Sequence, residues 1–306
     1  MKPQPVAIGV HLGLMATMLV WALNVSLVKW LTGIMDVMLV ASLRMVCASL
    51  VLVLLLFLSR QHLPRWRGRT LVLACVSALL MVYGNQILFA GAMEKTTASN
   101  AALILALNPL LNGLLEALAF RKRLTAPYVL GALLAVAGVL LVILNRPHLN
   151  LAGPSLGDVL VFGSMLSFST GVLILQRLAR DNTAQEINSF LYLIGTLALV
   201  LHAAVTLREP LAAVQALSWQ GWAGVVFSGV VATAAGALAW TRGVAAMGLG
   251  RAAVYMSWVP VLGVAFGALL LGEQLTIWHL FGMILVLSGT VLSSQRFRLL
   301  TPVPEK

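Results

Sequence analysis

The sequence predicts an all-α integral membrane protein, with ten transmembrane helices in two inverted five-helix repeats. Three observations predict it. Of the 306 residues, 60% are hydrophobic and only 9% are charged, whereas a soluble domain carries about 25% charged residues. The apolar residues gather into ten continuous segments, each near the roughly 20 residues that cross a bilayer as a helix. The pattern of residues 97–141 then returns at 248–292, offset by 151, with a different charge in the matching loop.

The segments are 9–31, 37–59, 70–92, 97–120, 126–145, 156–177, 186–207, 219–241, 250–271 and 277–295. They are continuously apolar rather than alternating, which favours helices over a membrane barrel. The first follows a single charge, Lys2. Its apolar stretch is too long for a signal peptide and lacks a clear small-residue cleavage site, so it reads as a retained helix. The second holds Arg44 within its apolar run, and the third follows a loop rich in arginine. The fourth and ninth carry Pro109 and Pro260. Gly263 and Gly267 give the ninth a face of small residues suited to close helix approach. Gly131 and Gly138 on the fifth, and Gly282 and Gly289 on the tenth, lie two turns apart and favour tight packing.

The repeat aligns Pro109 with Pro260, Leu124-Thr125 with Leu275-Thr276, and Gly131 with Gly282. Between proline and threonine, one copy has Arg121-Lys122-Arg123 and the other Gly272-Glu273-Gln274. With the N-terminus inside, fifteen of the twenty Lys and Arg residues fall on the inner side and four on the outer. Arg44 is the remaining one. Cytoplasmic loops collect Lys and Arg, so both termini of a multi-pass membrane protein are expected in the cytoplasm. Five helices per half make the second half enter from the opposite side. The expected units are residues 1–147, residues 148–295 and a cytoplasmic tail, 296–306; the boundary near Asn145–Pro154 is rich in helix breakers. An inverted repeat of this kind is the architecture of secondary transporters, with the site near the midplane between the halves.

The net charge of +11 reads as topology rather than nucleic-acid binding in so apolar a chain. Cys47 and Cys75 are the only cysteines, both inside apolar segments, so neither a disulfide framework nor a thiolate metal site is expected. The chain has no HExxH, GxSxG or P-loop pattern. No cofactor, catalytic residue or metal ligand is assigned, and any driving force is expected from a proton, another ion or a substrate gradient.

Glu116 is the one acid read as intramembrane, Asp158 and Glu186 falling at the very start of their segments, and intramembrane acids default to functional candidates. Asn100, Asn108, Asn112 and Glu116 are spaced by multiples of four and share one helical face. The stripe faces either a cavity or partner helices. Glu116 either serves the solute or a proton, or reaches cytoplasmic water and the basic loop. Arg44 reads as a structural charge that snorkels or pairs to lock its helix. His202 is a further intramembrane titratable group.

Trp21-Ala22-Leu23-Asn24, Leu43-Arg44, Ala101-Ala102 with Pro109, and Tyr255 with Pro260 and Gly272-Glu273-Gln274-Leu275-Thr276 carry a resemblance. With these motifs in duplicated order, nearly the whole chain resembles the drug/metabolite transporter superfamily, in particular its bacterial EamA-type members with ten helices. The resemblance implies a central cavity among helices one, three, four, six, eight and nine. It also implies transport of a small organic solute such as an amino acid, metabolite or drug, often outward. Trp21, Asn24, Tyr83, Tyr255 and Trp258 fall on cavity helices under this resemblance, and their rings suit apolar or cationic groups unless they pack helices. Ser164, Ser167 and Ser169 offer hydroxyls from the sixth helix. One departure is plain: the family often has a glutamate before Leu-Thr in both halves, and here the first half has Lys122. Glu273 therefore reads as a helix-end or topology feature.

The candidate solute residues are thus Trp21, Asn24, Tyr83, Asn108, Asn112, Glu116, Ser167, Tyr255 and Trp258. The leading expectation is a secondary transporter exporting a cationic or zwitterionic solute by alternating access. Uptake by the same fold is the alternative, and a membrane receptor or enzyme is a third class. Expected partners are the solute and membrane lipid, not nucleic acid.

Overall fold

A computed structural model describes residues 7–119, 124–145, 155–176, 182–247, 252 and 255–294. The basic loop Arg121–Arg123, the helix-breaker boundary 146–154 and the tail 296–306 lie outside the described residues. Among the described residues there is no strand. In chain order, α1 is Ile8–Ile34, α2 is Val37–Leu58 and α3 is Gly68–Lys95. The helix α4 has two parts, Ala98–Leu105 and Asn108–Ala119, followed by α5, Ala126–Leu144. The second half has α6, Leu156–Gln176, and α7, Ala184–Thr206. Its α8 runs over 219–247, with α9 at Trp258–Leu271 and α10 at Ile277–Ser294. The described residues of every predicted segment thus lie largely in helix.

Eight of these helices are long and apolar enough to cross a membrane, and α9 and α10 are two shorter apolar helices. Large apolar side chains cover the outside: Phe57 is 68% exposed, Leu133 62% and Leu269 79%. Water would not tolerate such a surface, and lipid tails do.

Three departures from uniform helices bear on the site. First, α4 and α9 are interrupted at matching places. Ala106 and Leu107 form a turn just before Asn108-Pro109, and Ser257 forms a turn before Pro260. Proline lacks the N–H of the helical ladder and its ring crowds the preceding turn, so a break is expected there. Second, α3 and α8 each contain a π-helical turn, Leu79–Gly84 and Phe227–Ala235. The Asn85 N–H donates to the Leu80 carbonyl and the Gly236 N–H to the Val231 carbonyl, five residues back in each case. Third, a short helix, Pro210–Gln215, connects α7 to α8.

The glycine pairs explain how the halves meet. A Cβ on Gly131 would lie 2.4 Å from the Gly289 carbonyl oxygen, and one on Gly138 would lie 2.6 Å from that of Gly282. Advancing along α5 thus means retreating along α10, so these counterpart helices are antiparallel, as inversion of the halves requires. Gly263 is similarly tight against Ala102 of α4. Without a hydrophobic drive between helices in lipid, such close backbone packing is a main source of association.

Helix ends are fixed by side chains. Asp36 accepts the Met38 N–H at 2.7 Å at the start of α2. Thr183 and Glu186 form a capping box at the start of α7. Glu273, in the turn after α9, caps a helix of the other half: it accepts the N–H groups of Ala98 and Ser99 at 2.6 and 2.9 Å and the Ser99 hydroxyl at 2.6 Å. Asp158, in the first turn of α6, is 3% exposed. It accepts from Thr96 at 2.7 Å and so ties α6 to the end of α3.

Candidate functional site

The two π-helical turns face one another's halves through matched contacts. Trp21 of α1 donates its indole Nε1–H to the Ala232 carbonyl of α8 at 2.9 Å. Ser167 of α6 donates its hydroxyl to the Leu80 carbonyl of α3 at 2.7 Å. Each donor lies over a glycine of the irregular helix: a Cβ on Gly236 would be 2.6 Å from Trp21 Nε1, and one on Gly84 would be 2.8 Å from Ser167 Oγ. Such turns offset the ordinary helical ladder and recur at functional sites. In membranes, irregular backbone is tolerated where protein or a water-filled cavity satisfies it.

A polar chain runs between the same helices. Ser228, in the π-helical turn of α8, donates to the Asn24 side-chain oxygen of α1 and accepts from Arg44 Nε of α2. Arg44 Nη1 donates to Gln86 of α3 at 3.3 Å. Gln86 donates to Asn85 at 3.1 Å, and Asn85 donates to the Ser164 carbonyl of α6 at 3.0 Å. Five helices from both halves are thereby linked. Arg44 is 2% exposed; among the described residues its side-chain hydrogen-bond partners are the neutral Ser228 and Gln86, and Tyr192 of α7 lies close to its charge. Among the described residues the one ion pair is Lys95–Glu94, so Arg44 has no carboxylate partner there.

The nine sequence candidates fall into several groups. Trp21 and Asn24 meet α8 as described, and Trp21 also packs on Trp240 with ring centres 5.8 Å apart. Ser167 meets α3. Asn108 accepts from Ser169 of α6 at 3.1 Å and, at 3.5 Å, from Asn112 one turn on. Tyr83 pairs with His202 of α7 at 3.0 Å, on the side of α3 that packs against α2 and α7. The Tyr255 hydroxyl and His11 Nδ1 of α1 lie 2.5 Å apart. Glu116 is half-buried in the last turn of α4, and Trp258 is 47% exposed. A cavity of about 550 Å³ lies elsewhere, between the α1–α2 corner and the start of α8, beside Trp30, Asp36 and Leu217.

The expectation that Arg44 pairs to lock its helix fits its bonds to α8 and α3, but the sequence reading does not include its partners Gln86 and Ser228. Asn85-Gln86 was the available signal, because two consecutive amides interrupt an apolar segment. Ser228 gave none, since an isolated serine commonly satisfies its own helix backbone.

Comparison with known proteins agrees with this architecture. A model of the EamA-like transporter family matches residues 8–144 and again 155–295. The uncharacterized transporter YyaM of Bacillus subtilis (strain 168) is 24% identical over 257 residues, covering 82% of each chain. A probable amino-acid metabolite efflux pump of Salmonella typhimurium is 26% identical over 291 residues, covering 91% of this chain and 92% of its own. A solved structure described as a crystal structure of protein has a TM-score of 0.68 at 18% identity, over 96% of this chain and 99% of that one, which bears on fold alone. With both halves matched by one family model, the chain is a multi-pass membrane protein and belongs to the EamA-like transporter family.

Proposed function

We propose that the protein is a secondary transporter that exports a small organic solute across the bacterial cytoplasmic membrane by alternating access. The observation that carries this reading is the pair of π-helical turns in α3 and α8, each held by a side chain of the other half. Helices irregular at matched depth in two inverted repeats are where transporters of this type build their sites. The repeats are 1–147 and 148–295, and their relative rocking exposes the site to one side at a time. Export is the favoured direction because a relative matched over nearly its full length is named a probable amino-acid metabolite efflux pump. Trp21, Asn24, Asn108 and Ser167 contact the solute or hold the helices that do. Both termini lie in the cytoplasm in this reading, which the Lys and Arg distribution supports.

Glu116 supplies proton coupling in this reading. Its place in the last turn of α4 is what makes it the candidate. The test is a flux screen over a metabolite library with purified protein in sealed vesicles. Movement of at least one unmodified solute supports transport, and chemical conversion of the solute without flux contradicts it.

A further inference from the structure

We propose that Arg44 recognises a carboxylate on the transported solute, so that the substrate class is anionic or zwitterionic and excludes simple cations. This rests on the transport reading above and narrows it. Four observations carry the assignment.

Arg44 belongs to α2, yet its guanidinium reaches past its own helix to α8 and α3, and through Ser228 to Asn24 of α1. It therefore ends among the helices that bear the irregular turns. Two of its five N–H donors are engaged, through Nε and Nη1. Among the described residues, the enclosed side-chain polar atoms without a partner are Ser26 Oγ and Thr125 Oγ1. Nη2 has no acceptor among the described residues. Asn24, Asn85 and Gln86 beside it are only partly buried.

The charge is uncompensated. The described acids stand apart from it: Asp36 caps α2, Glu94 pairs with Lys95, Glu116 lies in the last turn of α4, Asp158 bonds Thr96 and Ser155, Glu186 caps α7, Glu209 precedes the short helix and Glu273 caps α4. A fixed cation in a low-dielectric interior attracts an anionic group and repels a cationic one. A guanidinium with free donors also matches the two oxygens of a carboxylate.

The helix packing does not require the charge. A Cβ on Gly229 of α8 would lie 2.4 Å from the Arg44 carbonyl, and one on Gly195 of α7 would lie 3.1 Å from the Ala78 carbonyl of α3. These are the same crossing in the two halves, because 44 and 195, and 78 and 229, are each offset by 151. The second half makes the crossing with glycine at the position Arg44 occupies. The guanidinium is thus an addition to one half, as expected of a residue that reads a solute bound once per molecule.

The experiment uses the full chain, purified in detergent, and matched probes: the twenty amino acids, their carboxamides and their decarboxylated amines. Binding is read by thermal shift and titration, and movement by counterflow in proteoliposomes. In the wild type, at least one acid binds, and its amide and amine bind about tenfold or more weakly, the loss of one charge-assisted contact. Arg44→Gln abolishes that discrimination, and Arg44→Lys retains part of it. Gln86→Glu places a carboxylate beside the intact Arg44 and lowers acid binding about tenfold without improving amide binding; it covers the case in which Arg44→Gln does not fold. An amide or amine that binds as well as its acid, a panel in which no acid binds, or Gln86→Glu with unchanged acid binding overturns the assignment. Acid binding that depends on Arg44 without counterflow leaves the assignment standing and removes the transport reading.

Discussion

Trp21 and Ser167 make similar contacts from one half to the other. The indole of Trp21 donates to the Ala232 carbonyl of α8 at 2.9 Å, and the hydroxyl of Ser167 donates to the Leu80 carbonyl of α3 at 2.7 Å. Their chemistry differs, but each ties an otherwise regular helix to a π-helical turn of its inverted neighbour.

Removing one of the pair should therefore disturb function more than folding. A net hydrogen bond contributes about 0.5–1.5 kcal/mol. Trp21→Phe keeps an aromatic ring and Ser167→Ala keeps the helix, so each variant is expected to fold to near wild-type yield while transport falls several-fold. Equal losses of folded yield and flux would assign the two residues to packing alone.

The α5–α10 contact predicts the opposite pattern. A methyl group on Gly131 would meet the Gly289 carbonyl at 2.4 Å. Gly131→Ala must push the helices apart, and overpacking of this kind costs about 1–3 kcal/mol. Thermal melting in detergent should fall by several degrees, whereas Gly9→Ala, with nothing within 4 Å, should leave it unchanged. Gly131→Ala melting as wild type would contradict the described packing.

Glu273 is expected to behave as a helix cap supplied by the other half. Glu273→Ala leaves the Ala98 and Ser99 N–H groups and the Ser99 hydroxyl without their acceptor. A lost cap costs about 0.5–2 kcal/mol. Glu273→Gln keeps an acceptor and should recover part of that stability. A Glu273→Gln variant as unstable as Glu273→Ala would show that the charge, through Lys29 nearby, matters more than the cap.

Sidedness follows from inversion. Lys122→Cys is expected to react with a membrane-impermeant thiol reagent only from the cytoplasm, and Gln274→Cys, which is exposed, only from outside. Cys47 and Cys75 are free and half-buried, so both are first replaced by serine or alanine. Labelling of both positions from one side would refute the inverted arrangement.

Glu116→Gln preserves shape and removes charge. It is expected to abolish transport driven by a pH gradient while sparing exchange of solute between two sides at equal pH. Undiminished proton-driven flux would reduce Glu116 to a residue of the helix end.

The architecture was readable in the sequence because each helix advertises itself by a long apolar run, and the repeat by prolines and glycines with a mechanical reason to recur. Pro109 and Pro260 announce breaks, and the glycines of α5 and α10 announce a crossing. The helix-end reading of Glu273 likewise fits its bonds to Ala98 and Ser99. The site was harder to read. The π-helical turns of α3 and α8 leave no residue-type signal, because a backbone shift of one residue is made by packing against α1 and α6. Arg44 was visible as a buried charge, but its partners lie 42 and 184 residues away in sequence, and periodicity along one helix cannot reveal which neighbour a long side chain reaches. The same limit hid the pairing of Tyr83 with His202, which turns that tyrosine toward α7.

The most direct test of the account is counterflow in proteoliposomes loaded with one solute and exposed to a trace of its labelled form. The account predicts transient accumulation of label above that in protein-free vesicles for at least one solute, with the label recovered chemically unchanged and with the accumulation reduced in Trp21→Phe and Ser167→Ala. Label that stays at the level of protein-free vesicles for every solute of a broad metabolite library, in protein shown to be folded and inserted, would contradict it.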